Sequence, residues 1–193
     1  MKLLKASQTL QASGKKLFSS ADLQKILRVE NSNYGHIQAA RLVKDGVIER
    51  VKRGWYALSS NRPSDFELAN ALCSPSYISL DSALNFYGIL VQSPREIVSV
   101  TPGPAKKFEA GGKHFMYVHL DRKYYGDYEK SDGFLIASPE KALIDTMFFV
   151  ALGRGSLSVE ELNLQSVDKV RVKQIAAKIT NKAFKNYFAS IKF

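Results

Sequence analysis

Residues 18–58 have the sequence FSSADLQKILRVENSNYGHIQAARLVKDGVIERVKRGWYAL, which predicts two helices followed by a hairpin. The first helix begins at a capping box formed by Ser19 and Asp22, and apolar residues follow at the i, i+3, i+4 spacing of a helix face. The polar run Asn31-Ser32-Asn33 offers N-cap side chains for the second helix, and Gly46 supplies the left-handed residue that ends it. A short turn is therefore expected to join the two helices.

The hairpin signal lies in residues 47–58, where strand-forming residues flank a basic tip made by Lys52 and Arg53. Helix, turn, helix and hairpin in this order are typical of a winged helix-turn-helix. In this class the second helix enters the major groove of DNA, and the basic loop contacts the backbone or the minor groove. The segment therefore predicts binding of double-stranded DNA.

The second helix has two chemically different faces when its residues are placed 100° apart. The face expected to pack inward holds the small and apolar residues Gly35, Ala39, Leu42 and Val43. The opposite face carries residue types that bond base edges or phosphates, and Gln38 lies at its border. The predicted DNA-binding residues are Ser32, Asn33, Tyr34, Ile37, Gln38, Arg41 and Lys44 in this helix, Lys52 and Arg53 in the hairpin, and Lys15 and Lys16 before the first helix. The alternative is a solvated helix face without a ligand.

The charge distribution favours an anionic partner for the first third of the chain. The 193 residues carry a formal net charge of +10. Residues 1–65 hold twelve Lys and Arg against five Asp and Glu, whereas residues 66–193 hold sixteen against thirteen. A single cysteine excludes an intramolecular disulfide, and no apolar run has the length of a membrane span or of a signal-peptide core. We expect a cytoplasmic protein that does not associate with membranes.

A second region of different character follows a candidate linker at residues 61–64. Strands are predicted at residues 97–100, 114–120 and 134–137. Ser138 and Pro139 then begin a helix, as N-cap and first helical residue. The last residues, 167–193, have a basic, helical pattern. The predicted fold class is α+β: a winged helix-turn-helix in residues 1–62, followed by a small mixed α/β domain in residues 63–193 with about three strands packed by helices.

Three sequence motifs occur together in this chain. They are KRGWYAL at the end of the winged helix (residues 52–58), S-x-D-S-A-L-x-x-Y-G at residues 79–88, and A-x-P-E-K-A-L-x-D at residues 137–145. In this combination the chain resembles the AbiEi family, the antitoxins of abortive-infection type IV toxin–antitoxin systems. The resemblance covers roughly residues 3–190. The winged helix alone is unspecific, whereas its combination with the two later motifs is fairly specific.

The resemblance implies a transcriptional autorepressor that is also an antitoxin. The winged helix would bind inverted repeats in its own promoter, and the C-terminal domain would be needed for antitoxicity. A nucleotidyltransferase toxin encoded alongside would be the functional partner, with no direct contact implied. Inverted repeats would place two copies on neighbouring half-sites, which allows self-association on DNA.

Two other classes of function stay open. One is an enzyme, such as a DNA-targeted nuclease, with its site in the C-terminal domain at Glu140, Lys141 and Asp145. A first-turn glutamate and an i, i+4 ion pair explain these residues structurally. The sequence contains no nucleophile, phosphate-binding or metal-ligand motif, so we expect no enzyme and no cofactor or metal. The other class is an interaction module whose winged helix binds protein or RNA.

Overall fold

The computed structural model describes residues 3–29, 31–158 and 161–191, and the side chains of residues 3 and 32 lie outside this description. The fold is α+β, as predicted, and its residues cluster into two compact units. Unit 1 contains residues 1–68 and 109–113, and unit 2 contains residues 69–108 and 114–193. The assignment of DNA binding to residues 1–62 and of antitoxicity to residues 63–193 stays a prediction.

Unit 1 is a winged helix-turn-helix, as the sequence predicted. Its elements are α1 (Leu3–Ala12), β1 (Leu17–Ser19), α2 (Ser20–Ile26), α3 (Ser32–Lys44), β2 (Ile48–Lys52) and β3 (Trp55–Leu58). The three strands form an antiparallel sheet in the order β1-β3-β2. Helices and sheet enclose a core whose most deeply buried members include Leu10, Phe18, Leu23, Leu42 and Ile48. Burial of this apolar surface is the main term that holds the helices against the sheet.

The ends of the helices in unit 1 follow local sequence signals. The hydroxyl of Ser19 accepts the backbone N–H of Asp22 at 3.0 Å, and the Asp22 carboxylate accepts the N–H of Ser19 at 2.9 Å. These reciprocal bonds confirm the predicted capping box of α2. The side chain of Asn31 caps α3 by accepting two backbone N–H groups. Gly46 follows α3 with a φ of +70°, a conformation that glycine adopts without a Cβ clash.

Unit 2 is built on a mixed six-stranded sheet, where the sequence predicted about three strands. Its elements are β4 (Tyr77–Ile78), α5 (Leu80–Phe86), β5 (Ile97–Thr101), β6 (Lys106–Ala110), β7 (Lys113–His119), a 3-10 turn (Arg122–Tyr124), β8 (Tyr128–Ser131), β9 (Phe134–Ala137), α6 (Pro139–Ala151), α7 (Lys169–Ala177) and α8 (Lys182–Ser190). The end of β6 and the first residue of β7 belong to the segment 109–113 of unit 1. Helix α4 (Asp65–Leu72) contains the division between the units. The strand order is β6-β7-β5-β4-β9-β8. The pairs β5–β7 and β4–β9 are parallel, and β4–β5 and β8–β9 are antiparallel.

Helix α6 is the most deeply buried helix of the described residues in unit 2. It begins at the predicted N-cap Ser138, whose hydroxyl accepts the backbone N–H of Lys141, and Pro139 occupies the first turn. Ten consecutive residues from Glu140 onward are buried, including three charged side chains. Within the described ranges, every helix is too short or too polar to cross a lipid bilayer.

Candidate nucleic-acid interface

The close contact between α2 and α3 determines which face of α3 is exposed. A Cβ atom added to Gly35 would lie 2.8 Å from Cγ of Gln24 in α2, so the absence of a side chain allows this approach. Ala39 and Leu42, on the same face, are 3% exposed. Because residues spaced i, i+4 and i, i+7 share one face of a helix, these three positions turn the opposite face of α3 outward.

The outward face of α3 carries the polar and basic side chains of the sequence prediction. Its exposed members are Asn33, Tyr34, Ile37, Arg41 and Lys44. Ile37 is 50% exposed although it is aliphatic. Among the described residues, no carboxylate lies within ion-pair distance of Arg41 or Lys44. The face therefore offers donors, an aliphatic group and unpaired cations together, which are the groups that contact base edges and phosphates.

Two of the predicted residues in α3 need separate comment. Gln38 is only 9% exposed, so its side chain lies with the buried face, and its assignment as a base-contacting residue stays a prediction. The reason is its position one helical turn before the buried Leu42, on the inward side of the border where the sequence placed it. Ser32 is the first residue of α3, and its side chain lies outside the described part of the chain.

The hairpin tip is held against the start of α2. Residues Arg53 and Gly54 connect β2 to β3, and Gly54 has a φ of +78°, which strains any residue with a Cβ atom. The backbone N–H of Ser20 donates to the carbonyl oxygen of Gly54 at 2.9 Å. This bond fixes the position of the exposed Arg53 next to the two helices. Lys52 is half-buried and lies opposite Trp55 in the strand register.

A cleft of about 520 Å³ separates α3 from the hairpin. One wall is a single stripe of α3, formed by His36, Ala40 and Val43 at the i, i+4, i+7 spacing. The remaining lining residues are Ser20, Arg50, Arg53, Gly54 and Tyr56. The cleft thus combines a largely apolar interior with two arginines and no carboxylate.

Lys15 and Lys16 each form an ion pair with a carboxylate. Nζ of Lys15 lies 2.6 Å from the Asp22 carboxylate, and Nζ of Lys16 lies 2.9 Å from the Glu67 carboxylate. Burial acts to raise the pKa of Asp22, but hydrogen bonds from Lys15 and from the hydroxyl and N–H of Ser19 outweigh it and lower that pKa to about 2. Asp22 thus stays ionised beside Lys15, which weakens the expectation that these lysines contact DNA.

Sequence reasoning missed Arg50 and His36 as candidate DNA contacts. Arg50 lies directly opposite Tyr56 in the hairpin register, and both line the cleft. Since side chains alternate along a strand, Arg50 shares the side of the buried Ile48, the side that faces α3. That alternation was the available signal. For His36 the signal was the stripe that it forms with Ala40 on α3, next to the outward face.

The residues of the enzyme hypothesis form a structural cluster in unit 2. Lys141 and Asp145 make the predicted i, i+4 ion pair, at 2.6 Å between Nζ and Oδ1. The Glu140 carboxylate accepts the backbone N–H of Asp168 at 3.2 Å and lies 3.6 Å from the Arg171 guanidinium, which ties α6 to the start of α7. Across residues 3–29, 31–158 and 161–191, the side chains contain no group of three or more His, Cys, Asp or Glu positioned to hold a metal ion.

A helix with an exposed polar face, set beside a basic hairpin, defines a domain of the winged helix-turn-helix class. Residues 7–59 match the family described as "Transcriptional regulator, AbiEi antitoxin". The match confirms the resemblance to AbiEi antitoxins over these residues, which lie within unit 1. The resemblance of the later motifs, at residues 79–88 and 137–145, stays a prediction. None of the curated proteins compared with the chain matches it significantly.

Proposed function

We propose that this protein represses its own operon by binding inverted repeats in the promoter and that it serves as the antitoxin of a type IV toxin–antitoxin system. The observation that carries the proposal is the exposed face of α3, with Ile37 at 50% exposure and Arg41 unpaired within the described residues, in a segment that matches AbiEi regulators. Arg41 is expected to donate to guanine, and Ile37 to contact a thymine methyl group. We propose that the protein acts in the cytoplasm, together with its promoter DNA.

The first test is binding of the full-length protein to a fluorescent duplex from its own promoter, with a scrambled duplex of equal length as control. We expect a clear preference for the promoter and two copies per pair of inverted half-sites, spaced by one or more helical turns. If about six phosphates are contacted, the slope of log K against log salt concentration should be about −5. Equal affinity for both duplexes would refute the proposal, and so would binding without salt dependence.

Substitutions separate repression from antitoxicity. Arg41→Ala is expected to lose promoter preference because it removes a base contact. The double variant Lys52→Ala/Arg53→Ala is expected to lose affinity for the promoter and for the scrambled duplex because it removes backbone contacts. Both variants should still neutralise the toxin in cells that express the adjacent nucleotidyltransferase, because antitoxicity is assigned to residues 63–193. Loss of neutralisation by a folded Arg41→Ala variant would contradict this division of labour.

We further propose that the protein acts by binding and not by catalysis. Plasmid DNA incubated with the wild-type protein and Mg²⁺ or Mn²⁺ should stay intact. Cleavage that persists through chromatographic purification and disappears in Glu140→Gln would favour the nuclease hypothesis instead. Glu140→Gln is chosen because the amide retains an oxygen that accepts the N–H of Asp168.

A further inference from the structure

We infer that the cleft between α3 and the β2–β3 hairpin holds one sugar-phosphate unit of the DNA backbone, with Arg50 and Arg53 contacting the phosphate and the apolar wall contacting the sugar. This inference rests on the proposed DNA-binding function and assigns the backbone contact to a defined place. It adds Arg50, Ala40 and His36 to the surface that meets DNA, none of which the outward face of α3 includes.

The charge of the cleft fits a phosphate. Arg50 and Arg53 both line it, and within the described part of the chain neither has a carboxylate at ion-pair distance. On the other side of the hairpin, Glu49 is paired with Arg62. Glu49, the only acid of β2, does not line the cleft, although Arg50 also lines a second pocket that Glu49 shares. Guanidinium groups bind phosphate oxygens through two parallel N–H donors.

The apolar part of the cleft fits a sugar better than a free ion. Ala40, Val43 and the ring of Tyr56 form its interior. A volume of about 520 Å³ is far above the roughly 10–15 Å³ of such volume that one water molecule needs. An inorganic phosphate would leave this apolar surface without a partner, whereas the deoxyribose of a nucleotide presents carbon atoms to it.

The cleft also lies where a backbone contact fixes the register of α3. At 100° per residue, Ala40 is about 60° from Ile37 around the helix axis, so the cleft wall directly adjoins the outward face. A phosphate held between this wall and the hairpin would set the depth and rotation of α3 in the groove. Contacts of this type position a protein on DNA without selecting sequence.

The test compares two arginines of the same unit that differ in location. Arg50→Ala removes a cleft arginine, and Arg62→Ala removes an exposed arginine that is paired with Glu49 outside the cleft. Both variants lower the net charge by one. For Arg50→Ala we expect roughly tenfold weaker binding to promoter and scrambled duplexes alike, and a salt slope smaller in magnitude by about 0.9. Arg62→Ala should keep the wild-type affinity and slope.

A second pair of variants blocks the cleft without removing an arginine. Ala40→Glu places a carboxylate and extra volume in the cleft from an exposed helical position, and Gln8→Glu adds the same charge to the exposed surface of α1. Ala40→Glu should weaken binding to both duplexes more than Gln8→Glu does, with equal melting temperatures for the two variants.

The outcomes separate this inference from the proposed function. If the wild type prefers its promoter and Arg41→Ala loses that preference, while Arg50→Ala matches Arg62→Ala and Ala40→Glu matches Gln8→Glu, the cleft assignment is wrong and the proposed function stands. A loss confined to the promoter duplex in Arg50→Ala would also overturn the assignment, because it would indicate a base contact. If the wild type shows no preference for its promoter, the proposed function fails first.

Discussion

Nζ of Lys141 lies 2.6 Å from Oδ1 of Asp145, and the two side chains are 2% and 1% exposed. Oδ2 of Asp145 accepts hydrogen bonds from the hydroxyl groups of Tyr77 at 2.9 Å and of Ser79 at 2.8 Å. Nζ also donates to the backbone carbonyl of Tyr124 at 2.7 Å. Both carboxylate oxygens therefore already have donors inside the protein, which explains this residue pair as part of the framework of unit 2.

Removal of one partner of this ion pair should destabilise unit 2 strongly. Lys141→Met would leave the buried Asp145 carboxylate without its counter-ion, and we expect a loss of about 3–5 kcal/mol in the free energy of unfolding. Urea denaturation followed by circular dichroism measures it. The matched control is Lys178→Met, whose ammonium lies 3.1 Å from Asp127 with a side chain 62% exposed, and it should cost less than about 1 kcal/mol.

A double variant distinguishes an unpaired charge from lost packing. Lys141→Met/Asp145→Asn removes both charges and keeps an oxygen that accepts from Tyr77 and Ser79. It should be more stable than Lys141→Met alone. Equal stability of the two variants would mean that the cost comes from packing, and the electrostatic explanation would then fail.

Local signals made the winged helix predictable from the sequence. The capping box at Ser19, the N-cap at Asn31 and the left-handed Gly46 each depend on neighbours within a few residues, so the sequence contains the whole signal. The two faces of α3 followed from helix geometry in the same way. Gln38, which the sequence placed at the border between the faces, is buried on the inward side.

Long-range contacts explain most of what the sequence did not predict. Strands β6 and β8 have charged, exposed residues because they lie at the two ends of the sheet order, so neither shows the apolar alternation of a strand. The pairing of Lys16 with Glu67 joins residues 51 positions apart. The burial of Lys141 likewise depends on how elements distant in sequence pack around α6, which no local pattern encodes.

Asp22 should stabilise unit 1 in a pH-dependent manner. Its pKa is about 2 in the folded protein against an ordinary value of 3.8, so the folded state favours the ionised form. The stabilisation is therefore complete above about pH 4 and is lost as the pH falls through 2. Asp22→Asn should lower the free energy of unfolding by about 1–2 kcal/mol at pH 7, by loss of the ion pair with Lys15 and of one half of the capping box.

The measurement is thermal unfolding of wild type and Asp22→Asn between pH 7 and pH 2. The difference between them should shrink as the pH approaches 2. Asp45→Asn, at an exposed carboxylate after α3, is the control and should change stability by less than about 0.5 kcal/mol at any of these pH values. If the stability difference between wild type and Asp22→Asn stays constant with pH, the ionised carboxylate of Asp22 contributes nothing to stability.

Ile37 and Leu42 should give opposite results because they lie on opposite faces of α3. Ile37 is 50% exposed, so Ile37→Ala should leave the melting temperature nearly unchanged and weaken promoter binding roughly fivefold, with little effect on a scrambled duplex. Leu42 is 3% exposed, and Leu42→Ala should cost about 2–5 kcal/mol of stability. If Ile37→Ala destabilises the protein as much as Leu42→Ala does, the outward face has been assigned incorrectly.

The contact between Gly35 and Gln24 predicts that the effect of Gly35→Ala on stability depends on the residue at position 24. At a helix position where no neighbour obstructs the new methyl group, replacing glycine by alanine raises the free energy of unfolding by about 1 kcal/mol. Here the new Cβ would lie 2.8 Å from Cγ of Gln24, so the half-buried Gln24 side chain must leave its position, and we expect Gly35→Ala alone to be close to neutral. In a Gln24→Ala background the obstacle is gone, and the same substitution should stabilise the protein by about 1 kcal/mol. Urea denaturation of the wild type, both single variants and the double variant gives the coupling energy. If Gly35→Ala stabilises the protein equally in the wild type and in the Gln24→Ala variant, the two helices tolerate a side chain at their crossing.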